Sequence, residues 1–254
     1  MRVVLIGSGN VATHIALALK AAEIAVVQVW SKQIQNAKIL ADQIQAEVLT
    51  NLSEIDQQAD FCIVSIKDDA IPSIIKELIG FKGVVVHTSG AVDLAVFAAD
   101  FVKYGVFYPL QTFSITKKVD FATVPICIEA NQEGTLQSIR QLAEKLSINV
   151  VEVDSEKRKI LHLAAVFACN FTNHLYVLSS DLLAEYNLDF EMIRPLILET
   201  ALKVQYDLPR AVQTGPAIRN DEQTLKKHEA LLLKQPQLLN IYQTLSESIK
   251  KTKK

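Results

Sequence analysis

The chain has 254 residues, 50% of them hydrophobic and 21% charged, with a formal net charge of −2. That length accommodates one or two domains with ample core. The near-neutral balance offers no basic field to nucleic acid, and no uninterrupted apolar run reaches the ~18 residues of a membrane span, so neither partner is expected.

RVVLIG opens the chain as a strand pattern, with no basic n-region or apolar h-region ahead of it. A signal peptide is therefore not expected, and a cytoplasmic location is. Strand patterns follow at 3–6, 25–30, 61–66, 83–87, 104–108, 124–130 and 148–153. Helical patterns at 10–22 and 33–44 separate the early ones. This alternation predicts a doubly wound, mainly parallel α/β sheet over residues 1–154. After Asp154 the strand signal stops. Helical patterns at 156–186, 190–207, 220–234 and 236–252 predict an all-α domain over 155–254, broken at Asn187, Pro209, the loop QTGPAIRND and Pro236. Lys250, Lys251, Lys253 and Lys254 read as a frayed, solvated helix end. Cys62, Cys127 and Cys169 sit among apolar residues with no C-x-x-C pair, so they read as core thiols rather than disulfides or a metal site.

GSGNVA, Gly7 to Ala12, follows the first strand and opens the first helix, the G-x-G-x-x-A form of a dinucleotide loop. Gly7 permits the tight turn, Gly9 lets backbone approach a pyrophosphate, and Ala12 lets helix pack on strand. The amides of Ser8, Asn10 and Val11 then face phosphate from a helix N-terminus. Where an NAD site usually carries Asp or Glu, the second strand ends in Ser31 and Lys32. A hydroxyl and an ammonium suit a 2′-phosphate, so NADP(H) is expected, with NAD(H) the alternative. Ile66 and Lys67 are expected to touch the cofactor through backbone, and Asp68 or Asp69 to cap the helix that Pro72 begins.

Two further loops leave strand ends at the edge where ligands bind. HTSG brings His87, a substrate contact or a loop-fixing group. It also brings Ser89, a donor to a substrate oxygen or a turn cap. FYPLQTF brings Tyr108 and Pro109, read as shaping a turn. HLAAVFACNFTNHL, His162 to Leu175, reads as a buried helix with an unexpected polar set. At 100° per residue His162, Val166, Cys169 and Asn173 share one face, with Asn170 at its shoulder. Hydride transfer at a carbonyl or imine needs a proton donor. His162 is expected to be the general acid/base, with Asn170 and Asn173 orienting substrate, unless these groups only bridge helices. In TGPAIRND, Thr214 and Arg219 are candidates for binding a substrate carboxylate, and Asp221 for capping the next helix.

Taken together, GSGNVATH, HTSG, FYPLQTF, the 162–175 helix and TGPAIRND resemble the Rossmann-like DUF2520 oxidoreductases over nearly the whole chain. More distantly the chain is similar to the β-hydroxyacid dehydrogenases, pyrroline-carboxylate reductases and prephenate dehydrogenases. The resemblance implies an N-terminal NAD(P) domain and a helical C-terminal domain that supplies catalytic side chains and forms a homodimer. β-Hydroxyacid dehydrogenases carry a lysine, then asparagine four residues on, in the corresponding helix; here those positions hold His162 and Val166. Prephenate dehydrogenases are closer, with an early histidine and polar residues where Asn170 and His174 stand. The implied function is NADP(H)-dependent hydride transfer to or from a small carboxylate-bearing carbonyl, imine or alcohol. The alternatives are a dinucleotide-binding sensor or scaffold, and prephenate- or arogenate-like oxidation.

Overall fold

The computed structural model describes residues 1–98 and 100–252; Lys253 and Lys254, read above as part of a frayed end, lie outside them. In chain order the elements are β1 (Arg2–Ile6), α1 (Asn10–Ala21), β2 (Ala25–Trp30), α2 (Ile34–Ile44), β3 (Glu47–Val48), β4 (Phe61–Val64), α3 (Ile71–Glu77) and β5 (Val84–His87). Then come β6 (Tyr104–Pro109), β7 (Ile126–Ala130), α4 (Glu133–Glu144), β8 (Val150–Glu152) and α5 (Ser155–Ala165). A π-helical stretch, Val166–Phe171, leads into α6 (Thr172–Glu185), followed by α7 (Arg194–Tyr206), α8 (Pro216–Arg219), α9 (Glu222–Leu231) and α10 (Pro236–Lys251). The chain divides into two compact units, Met1–Cys169 and Asn170–Lys254.

The first unit is an eight-stranded sheet of order β3-β2-β1-β4-β5-β6-β7-β8. All neighbours are parallel except β6 and β7. β4 and β5 are buried along their whole length, as strands covered on both faces must be. Val3 and Leu5 of β1 join Ile15 and Leu19 of α1 in one core, while Val4 and Ile6 join Ile71 and Ile75 of α3 in another. The period of two thus sorts alternate side chains to opposite faces. All seven strand patterns form strands. The two-residue β3, α3 and the amphipathic α4 complete the winding; α4 shows only Thr135, Ile139, Leu142 and Ala143 to the core from a largely polar sequence. The switch of pattern at Asp154 coincides with the start of α5, yet α5 packs as part of the first unit.

In the second unit Asn187 takes the left-handed conformation just after α6. Asp189 caps a short 3-10 turn at Phe190–Ile193 before Pro195 opens α7. Asp221 caps α9, its carboxylate accepting from the Thr224 amide at 3.1 Å. Among the described residues of this unit, Ala217, Leu225 and Leu232 are the buried hydrophobics.

The expectation of a buried helix at 162–175 is corrected: Leu163 is 52% and Leu175 37% exposed. Cys169 is exposed too, whereas Cys62 and Cys127 are core thiols as expected. Apolar sequence here marks an outward face, not an interior. By length and composition alone, Ser155–Glu185 could cross a membrane, which amends the reading that no segment qualifies. Its polar residues and its lysine- and arginine-bearing first turns weigh against that use.

Candidate active site

In an open α/β sheet, ligands bind where strand order reverses, here between β1 and β4. Gly7 stands at that point with φ +130°, and a Cβ on it would lie 2.0 Å from the carbonyl oxygen of Ser65 on the end of β4. Only glycine fits there. Its amide donates to the carbonyl of Trp30 at 2.7 Å, fixing the loop to β2. Gly9 caps α1 without a side chain, and a Cβ on it would meet nothing within 4 Å. The first-turn amides of α1 have no acceptor within the helix, and the space beside Gly9 is open, which fits an anionic pyrophosphate. Val11 and the buried Ala12 seat the helix on the sheet.

Ser8 donates to the Ser31 oxygen at 2.8 Å, leaving the Ser31 hydrogen to donate onward. Lys32 beside it is exposed, as is Lys67, while Ile66 is half-buried against Gly7. The expected carboxylate cap on α3 is not made. Asp68 and Asp69 lie inside a 3-10 turn, Asp68–Ala70, and Ala70 takes the cap position. The FYPLQTF segment is strapped to α1: Asn10 donates to the Phe113 carbonyl and the His14 ring bonds the Ser114 carbonyl, both at 2.9 Å.

His87 is corrected from a substrate contact to a core group. It is wholly buried and stacks on Phe97 at 5.5 Å. Its Nδ1 accepts from the Ser89 amide at 3.1 Å. Burial, reinforced by the Arg158 charge, pushes its pKa down to about 3, so it stays neutral. Ser89 accepts from the amides of Ala91 and Val92, each at 3.0 Å. It is a turn cap, and only its hydroxyl hydrogen remains for a substrate.

His162 of α5 stands against the same loop. Its Nδ1 lies 3.0 Å from the Tyr108 hydroxyl, and a Cβ on Gly90 would fall 2.7 Å from that nitrogen. Burial pushes the Tyr108 phenol up to about 12. The helix is pinned below this point by a network that the sequence reading missed. Arg158, fully buried, pairs with Glu129 of β7 and donates to the Val92 carbonyl at 2.6 Å. Glu129 accepts from the Ser155 amide at 3.0 Å and from its hydroxyl at 2.8 Å. Ser155 in turn accepts from the Leu94 amide, and Lys159 pairs with Asp93. A glutamate in an otherwise apolar strand, and an arginine one turn before His162, were the available signals.

The single-face expectation for His162 through Asn173 is corrected by the π stretch, because a regular 3.6-residue period does not run through Val166–Phe171. Such stretches recur at functional sites. Asn170, Asn173, Thr214 and Arg219 are exposed residues of the second unit.

Residues 2–88 match the family described as NADP oxidoreductase, coenzyme F420-dependent, and residues 124–249 match the domain of unknown function DUF2520. No curated protein matches the chain at a significant level. A crystal structure of a Bacteroides fragilis protein described as a "putative NADP oxidoreductase" is 43% identical, with TM-score 0.93, over 98% of each chain. A Thermotoga maritima protein is 22% identical, with TM-score 0.75, over 99% of this chain and 98% of its own. An imine reductase from Myxococcus stipitatus in complex with NADP+ shares the fold at 13% identity and TM-score 0.69, over 99% of this chain and 92% of its own. The chain belongs to the family of the Bacteroides fragilis protein, and in it a DUF2520 domain follows an oxidoreductase-type NADP-binding domain.

Proposed function

We propose that the protein is an NADP(H)-dependent oxidoreductase acting on a small carboxylate-bearing carbonyl, imine or alcohol, with His162 as its general acid/base. The observation that carries this is the placement of His162. It is a polar ring held against Gly90 at the C-terminal end of β5, on the edge of the sheet that also bears Gly7 and Gly9. Bound along that edge, NADPH would supply hydride to the substrate. The chain's own part is protonic: the imidazolium releases its proton to the oxygen or nitrogen that gains negative charge, and recovers one before the next cycle. Ser89 offers its hydroxyl hydrogen to the same atom. Asn170 and Asn173 are proposed to orient the substrate, and Thr214 and Arg219 to hold its carboxylate. Proteins of the same fold include imine and pyrroline-carboxylate reductases and reductive aminases, which makes imines the first compounds to try. NADPH consumption with cyclic imines, 2-oxo acids and amine–ketone pairs tests the reading. Tight NADPH binding with no turnover across that panel would favour a sensor instead.

Ser31 and Lys32 are proposed to receive the 2′-phosphate. Lys32→Ala should weaken NADPH binding by ~1–3 kcal/mol, the value of a charge-assisted hydrogen bond, and leave NADH unaffected. Fluorescence titration measures both; equal losses for the two nucleotides would remove the assignment.

We also propose a homodimer through the helical unit. α6, α7 and α10 have no buried residue, while Met192, Leu196, Leu198 and Tyr206 are more than half exposed. So much apolar surface is unusual in a solitary unit, and a second copy covers it. Light scattering at micromolar concentration should give twice the chain mass. A monomer would contradict the proposal, and recovery only with detergent micelles would point to a membrane surface.

A further inference from the structure

We propose that Tyr108 is the positioning residue that holds the His162 ring with Nε2 outward in both protonation states, and that Gly90 is glycine to make room for this pair. The proposal rests on reading His162 as the proton donor. The Tyr108 side chain is mostly buried, at 8% exposure, so its hydroxyl hydrogen needs an acceptor, and His162 Nδ1 stands 3.0 Å away. A neutral imidazole that accepts at Nδ1 carries its hydrogen on Nε2. When the ring takes a second proton, Nδ1 becomes a donor. The phenol oxygen then accepts by turning its own hydrogen aside. The same oxygen thus stays bonded to Nδ1 in both states, and the ring need not move between accepting and releasing a proton.

The phenol performs this role only while it keeps its own proton. Burial favours that, raising the phenol to about 12. The two rings meet edge to face, with centroids 6.0 Å apart. Gly90 closes the arrangement from the loop side. A Cβ there would fall 2.7 Å from His162 Nδ1 and 2.8 Å from Tyr108 Cζ. Gly90 does not occupy the left-handed region, so an alanine would be excluded by these two rings and not by backbone strain.

The ring itself can be read without a substrate. In uniformly 15N-labelled protein at about pH 9, above the ordinary histidine range, long-range proton–nitrogen spectra resolve the tautomer of each of the five histidines. The His162 signals are those lost in His162→Asn. Wild type should show a single Nε2–H tautomer whose Nδ1 resonance is displaced by an accepted hydrogen bond. Tyr108→Phe should abolish that displacement and admit the second tautomer. Gly90→Ala should do the same with the hydroxyl still present. With a cyclic imine or 2-oxo acid that turns over, Tyr108→Phe should lower kcat by about tenfold to a hundredfold and leave KM nearly unchanged. A wild-type ring spectrum in Tyr108→Phe, with turnover abolished in His162→Asn, would overturn the positioning role and leave the proton-donor reading intact. An altered spectrum with turnover retained in His162→Asn would overturn the proton-donor reading, and Tyr108's part in catalysis with it.

Discussion

Glu129→Gln is expected to destabilise the protein by about 3–5 kcal/mol, the range for removing one partner of a buried ion pair. The reason is the position of Arg158. Its side chain has no exposed surface, and Glu129 is its charge partner. A glutamine keeps the shape and can still accept from Ser155, but it leaves a guanidinium charge in the interior uncompensated. Calorimetry should show a fall in Tm of roughly 6–20 °C, given the ~2–4 °C per kcal/mol typical of chains of this size. A double variant, Glu129→Leu with Arg158→Met, should recover much of the loss, because replacing both charges removes the desolvation penalty along with the attraction. A fall below about 1 kcal/mol in the single variant would mean that the pair is not desolvated as the structure shows. Turnover should drop in the double variant even where stability returns, since Arg158 would no longer tie α5 to the Val92 carbonyl, nor Glu129 tie β7 to Ser155.

His162→Ala is expected to lower turnover by ~10²–10⁴, the usual contribution of a positioned acid or base. NADPH affinity should stay nearly constant, because Gly7 to Ala12, Ser31 and Lys32 do not touch this ring. Stability should fall only by ~1 kcal/mol, since the ring is half-buried and its removal costs Tyr108 one hydrogen bond. His162→Asn should not restore activity, because an amide can orient a substrate but cannot carry the proton. Steady-state kinetics, nucleotide titration and thermal melts separate these effects. Loss of several kcal/mol with unchanged turnover per folded molecule would make His162 a structural group.

The nucleotide half was legible because its signals are local. GSGNVA needs only neighbours in sequence to specify the turn at Gly7 and the open cap at Gly9. Seven of the eight strands announced themselves through runs such as VVLI and GVVVH; the two-residue β3 did not. The environment of His162 was less legible, since it is assembled from β5, β6, β7 and α5. Nothing near Tyr108 in sequence says that its hydroxyl meets a ring 54 positions away, and nothing near Glu129 names Arg158. His87 misled because a histidine at a strand end is a frequent ligand contact, and only the packing of Phe97 decides its burial. The helix after Ser155 misled differently. Apolar residues there could mean an interior or a face awaiting cover, and composition does not distinguish the two.

β7 runs back beside β6, with Pro109 paired to Ile126, so the connection between these strands leaves and re-enters the sheet on one edge. The Leu110 amide closes its base on the Pro125 carbonyl at 2.8 Å. A parallel partner would have required a crossover threaded around the sheet. The antiparallel one makes residues 110–125 an excursion from one end of the sheet, whose exposed stretch between Ser114 and Asp120 can change length without altering strand order. Its anchor to α1 runs through the main-chain carbonyls of Phe113 and Ser114 and through the Phe113 ring, 5.0 Å from the His14 ring. An insertion between Ser114 and Asp120 should therefore leave the Gly7 turn and the Gly9 cap in place.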